Sequence, residues 1–99
     1  PFPYEVAQVA APTTFTLVGA KPNPFNASTT IRYGLPQAGP VDLEIFNLMG
    51  QRVAYLVQGW REAGWHQATF DGSNLASGLY ICRFQAGSFL AVRKMVMVK

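Results

Sequence analysis

The chain has 99 residues, a net charge of +3, and an apolar share of 49%, which together describe a single compact domain with a real core. Its one cysteine excludes an internal disulfide. Its eight basic residues are spread along the chain with no run longer than Arg93-Lys94, so the clustered basic face of a nucleic-acid binder is missing.

Residues 1–13 show no clean period; Pro1, Pro3 and Pro12 bracket Ala- and Val-rich sequence, and the segment reads as a linker or an extra edge strand. It lacks the charge, apolar core and cleavage site of an export signal. Its start, Pro1-Phe2-Pro3-Tyr4, reads as a cut or linker sequence, so the chain is expected to be a fragment of a longer protein.

A first strand is predicted over Phe15–Ala20, followed by the rigid turn Lys21-Pro22-Asn23-Pro24-Phe25-Asn26, from which Phe25 is expected to plug the end of the core. Thr29–Leu35 alternates, with Ile31, Tyr33 and Leu35 opposite Thr30 and Arg32. Val41–Phe46 alternates again, with Val41, Leu43 and Ile45 opposite Asp42 and Glu44. Asn47–Gln51 is a short turn, and Arg52–Val57 is its partner strand with a blurred pattern. Gly59–Gly64 reads as a loop holding Trp60, Arg61 and Glu62. Trp65–Asp71 and Leu79–Ala86 are strands on either side of the turn Asp71–Asn74 and the corner Leu75–Gly78, and Ala86-Gly87-Ser88 turns the chain into the last strand.

About seven short strands with turns every 8–12 residues, and no helical period, predict an all-β fold: an immunoglobulin-like β-sandwich of antiparallel strands in two sheets, over residues 14–99. Ile31, Tyr33, Leu43, Ile45, Phe70, Tyr80, Cys82 and Phe84 are the expected core. Tyr80 has two readings, as plain core or as an anchor of the Leu75–Gly78 corner through its hydroxyl.

The final stretch, Leu90–Lys99, is apolar but for Arg93, Lys94 and Lys99. Ten residues are too few for a membrane-spanning helix, which needs roughly 20, so the segment belongs to the fold. Val96 and Val98 share the strand parity of Lys94, while Met95 and Met97 share that of Arg93. Both sets are apolar, so the pattern leaves the inner face open. At a sheet edge this strand would keep one side of its backbone free for strand pairing, with Lys99 curling toward Lys94.

Several segments recur in a recognisable order: Asn23-Pro24-Phe25-Asn26-Ala27-Ser28-Thr29-Thr30-Ile31-Arg32-Tyr33, Leu35-Pro36, Asn47-Leu48-Met49-Gly50-Gln51, Ala63-Gly64-Trp65-His66, Leu75-Ala76-Ser77-Gly78-Leu79-Tyr80 and Arg93-Lys94-Met95-Val96. Over roughly residues 15–99 they resemble the C-terminal sorting domains of proteins exported by the type IX secretion system. They are also similar to the immunoglobulin-like module of flagellar hook-capping proteins. The match to the final Arg93–Lys99 stretch favours sorting. Phe70 and Cys82 depart from the family pattern, which often has aromatic residues there, tryptophan at the first.

The resemblance implies a secreted or cell-surface bacterial protein with a covalently linked cargo domain upstream. The sorting domain would direct that cargo from the periplasm through the outer-membrane translocon, and a sortase-like protease would then often remove it. Translocon recognition is expected at Lys94, Val96, Val98 and Lys99. The competing function is a carbohydrate-binding or adhesion module of a secreted hydrolase, stacking sugar rings on Trp60 and Trp65. A structural spacer is the third reading.

No catalytic, cofactor-binding or metal set is predicted. Cys82 reads as a buried hydrophobe, and His66 is the only base it could use. Asp42 and Glu44 share one strand face but have no cleft, and are expected to be solvated. Asn23, Asn26, Asn47 and Asp71 read as turn residues rather than ligands.

Overall fold

The computed structural model describes residues 11–99. They form seven strands: β1 (Thr16–Lys21), β2 (Ser28–Leu35), β3 (Gly39–Phe46), β4 (Arg52–Arg61), β5 (Gly64–Asp71), β6 (Gly78–Ala86) and β7 (Phe89–Met97). Pairing is antiparallel throughout, in a three-stranded sheet ordered β1-β2-β5 and a four-stranded sheet ordered β4-β3-β6-β7. Consecutive strands switch sheets between β2 and β3, β4 and β5, and β5 and β6, which is the Greek-key wiring of an immunoglobulin-like sandwich. No helix forms among the described residues. The expected linker or edge strand over residues 1–13 lies, apart from residues 11–13, outside the described residues.

Alternation explains which faces meet. Thr29, Ile31, Tyr33 and Leu35 of β2, Val41, Leu43 and Ile45 of β3, and Tyr80, Cys82, Phe84 and Ala86 of β6 are all buried. All eight expected core residues are among the buried side chains. Rings run through this core in contact: Phe25 meets Phe70 edge-on at 5.9 Å, Phe70 meets Tyr80 at 6.2 Å, and Tyr33 meets Phe84 at 5.2 Å. Each such pair adds about 0.5–1.5 kcal/mol beyond area burial. Phe25 reaches the core from its loop, as expected, and Tyr80 combines both of its readings. It is buried, and its hydroxyl donates to the Ala76 carbonyl at 2.6 Å, pinning the corner before β6.

Two expectations need correction. The loop assigned to Gly59–Gly64 is mostly strand, because Gly59, Trp60 and Arg61 pair with Val41, Pro40 and Gly39, and Gly59 takes a φ of +140° that a side chain would resist. Register shifts at Leu43/Glu44 and Ile45/Phe46 alter the facing of β4 along its length, which is why its sequence pattern is blurred. Glu44 is not a solvated acid: only 7% exposed, it accepts from Arg52 at 2.9 Å and from Arg83 at 2.8 Å. Flanking cross-strand arginines satisfy the carboxylate that the strand's twofold period turns outward.

Candidate functional site

The candidate site is β7, an edge strand of the four-stranded sheet. Its pairing with β6 sets Phe89 opposite Ala86 and Met97 opposite Gly78, so residue parity decides what faces the core. Met95 and Met97 are fully buried; Leu90, Val92, Lys94, Val96 and Val98 are exposed. Thioether side chains are flexible and adapt to the space that a core leaves them. Met97 packs so tightly on the Asp71–Asn74 turn that a Cβ added at Gly72 would lie 2.8 Å from its sulfur.

Arg93 has the inward parity but lies at the seam between β1 and β7. Its stem passes the bulged Gly19 at 3.7 Å from where a Cβ would be, and its guanidinium donates to the Val92 carbonyl at 2.9 Å. The apolar stem thus covers the seam while the charge remains in water.

The outer backbone edge of β7 is largely closed, contrary to the expectation of a free edge. The Asn23 side-chain amide donates to the Lys94 carbonyl at 3.0 Å and accepts from the Val96 N–H at 2.9 Å. The Phe25 N–H donates to the Val96 carbonyl and the Val98 N–H donates to the Phe25 carbonyl, both at 2.8 Å. The Asn23–Phe25 loop therefore stands where a neighbouring strand would stand. Burial of Phe25 and the bond from the Thr29 hydroxyl to the Pro22 carbonyl, at 2.7 Å, hold that loop down.

Lys99 does not curl toward Lys94. Its N–H donates to the Ser77 hydroxyl at 3.0 Å and its ammonium donates to the Ser73 carbonyl at 2.7 Å, so it folds over the β5–β6 connection. There it adds to the effect of the Ser73 hydrogen bonds, which are the main cause holding the Asp71 carboxyl below its usual value. Of the four residues expected to be recognised, Lys94, Val96 and Val98 share one outward strip and Lys99 stands apart. Sequence reasoning missed Asn23 as a partner of β7. It also left Leu90 and Val92 out of the strip, although their parity with Lys94 was legible.

The two tryptophans lie on opposite outer faces. Trp60 is 62% exposed and pairs with Pro40 on the outside of the four-stranded sheet. Trp65 lies over Gly34 on the outside of the three-stranded sheet, where a Cβ at Gly34 would come within 2.6 Å of the indole, and the Arg32 guanidinium sits 4.7 Å from its ring centre. They do not form one stacking platform.

Burial pushes the Cys82 thiol up to about 12, so it stays protonated and unreactive. His66 stacks on Tyr33 at 5.3 Å, and its Nε2–H donates to the Glu62 carbonyl at 2.7 Å. Asn47 works inside its own turn, accepting from the N–H groups of Met49 and Gln51 at 2.9 and 3.0 Å. Among the described residues no three His, Cys, Asp or Glu side chains gather as metal ligands, and no helix is long and apolar enough to cross a membrane.

No curated protein matches the chain. The family described as "Secretion system C-terminal sorting domain" matches residues 21–99, from the last residue of β1 to the end of the chain. That match covers six of the seven strands, β7 included, and carries the type IX sorting signal that marks secreted or cell-surface bacterial proteins. The chain belongs to the family of secretion system C-terminal sorting domains.

Proposed function

We propose that this domain directs an upstream cargo through the type IX outer-membrane translocon to the cell surface, acting as a folded recognition module without chemistry of its own. Residues 14–99 are the module, and the segment before it is a linker to the cargo. The observation that carries this reading is the division of β7: Met95 and Met97 hold the strand in the core while Lys94, Val96 and Val98 stay exposed. A partner can then read the folded domain without opening it. A sortase-like protease acts after translocation, upstream of the sandwich.

The test is a reporter fused to the domain and expressed in a bacterium with a type IX system. Surface reporter is expected with the domain attached, and periplasmic reporter when the domain is deleted. Surface delivery of the reporter without the domain would sink the proposal. The carbohydrate alternative is checked by titrating the domain with soluble polysaccharides; saturable binding lost in Trp60→Ala would favour it instead.

A further inference from the structure

We infer that the outer face of β7 from Leu90 to Val98 is a docking strip for an apolar partner surface presenting a carboxylate to Lys94, and that this partner docks face-on rather than adding a strand. The inference rests on the sorting function proposed above and specifies the chemistry of its partner.

The strip is apolar where a solvated sheet face is ordinarily polar. Val92 is 53% exposed and Val98 55%, with Leu90 and Val96 on the same side. Across the ladder, Val96 lies beside Leu79 and Lys94 beside Ile81, both half-buried, so the apolar surface continues onto β6 at this end, while Val92 and Leu90 lie beside Arg83 and Gln85. Contiguous exposed apolar surface of this kind marks an interaction site.

The mode of docking follows from the edge. Strand addition needs a row of free N–H and C=O groups. From Val92 to Val98 that row is interrupted. Arg93 covers the Val92 carbonyl, Asn23 covers the Lys94 carbonyl and the Val96 N–H, and Phe25 covers the Val96 carbonyl and the Val98 N–H. The side-chain face is open and the backbone edge is not.

The partner's chemistry follows from Lys94. It is the one charge in the strip, and neither salt bridge among the described residues includes it. The carboxylates elsewhere on this sheet face are engaged: Glu44 by Arg52 and Arg83, and Asp42 by the Tyr55 hydroxyl. Covering the strip strips water from the ammonium, which is costly unless an acid meets it. Set strip against strip, a second copy would bring another Lys94 and no acidic side chain, so a different protein with an acidic residue set in an apolar surface fits better.

The test uses the reporter fusion, with the surface fraction as readout and thermal melting to confirm folding. Val92→Glu and Lys94→Met should each cut surface delivery at least about tenfold, since one opposes the partner's acid and the other leaves that acid unpaired. Lys94→Arg should restore delivery, and Gln67→Glu, on the opposite outer face, should leave it unchanged. Wild-type delivery with Val92→Glu would overturn the strip while leaving the sorting function intact. Wild-type delivery with Lys94→Met would overturn the carboxylate. Increased delivery with Asn23→Ala would show a partner adding a strand to the freed edge, and would overturn face-on docking. A dimer of the purified domain, seen by light scattering and lost in Val92→Glu, would assign the strip to a second copy instead. Surface delivery by a fusion lacking the domain would overturn the sorting function and this inference with it.

Discussion

Asn47 and Asn23 both sit in tight loops of the sandwich, and both use a side-chain amide as donor and acceptor. Asn47 closes on its own turn, bonding Met49, Gln51 and the Gln51 side chain. Asn23 reaches across the chain to Lys94 and Val96. The first amide ties together residues that the hairpin already holds close. The second joins the loop before β2 to the final strand and closes an edge that would otherwise invite pairing. A local amide tidies a turn, whereas a distant one decides which surface of β7 a partner can reach.

The comparison breaks most completely at Phe25. Phe25→Ala should cost about 3–5 kcal/mol, the range for emptied aromatic core sites, and should release the Asn23 loop from β7. Chemical denaturation measures the loss, and faster amide exchange at Val98 reports the release. Asn23→Ala removes two hydrogen bonds and keeps the core, so a cost of about 1–2 kcal/mol is expected. Exchange at the Val96 amide should accelerate in that variant, and an unchanged rate would show that Asn23 does not guard the edge. Asn47→Ala should cost about 1 kcal/mol or less, because water replaces bonds in an exposed turn, and Val96 exchange should stay as in the wild type.

The smallest effect concerns the turn that Lys99 crosses. Asp71 is held below its ordinary value chiefly by the Ser73 hydrogen bonds, with help from Lys99. A depressed folded pKa means that the ionised carboxylate stabilises the fold above its unfolded value of about 4, and that this contribution is lost as pH falls through the folded pKa. Asp71→Asn should therefore lower the melting temperature slightly at pH 6, with the difference from wild type vanishing toward pH 2. A constant difference across that range would show that the charge is not the cause.

Alternation made much of the fold legible. Ile31, Tyr33, Leu43 and Ile45 announce their inward faces by a strict period of two, and glycine and asparagine mark the turns around them. The reading failed where pairing bends that period. Two bulges against β3 confuse the pattern of β4, and the strand runs on through Trp60 because Pro40 and Val41 supply partners. Glu44 looked solvated because an outward position and an acidic side chain agree locally. Only the sheet brings Arg52 and Arg83 to either side of it.

At β7 the sequence determined the strand, its parity and the residues on each side: Lys94 with Val96 and Val98, Met95 with Met97. It did not determine which side is buried, since valine and methionine are both apolar and a period of two is symmetric. Tertiary structure decided that: Met95 and Met97 turn inward, with Met97 packed against Gly72 of the turn after β5. Tertiary structure also decided the state of the edge. Nothing within ten residues of Val96 predicts that its N–H is covered by Asn23, since that hydrogen bond exists only once the sandwich has brought the first loop to the last strand.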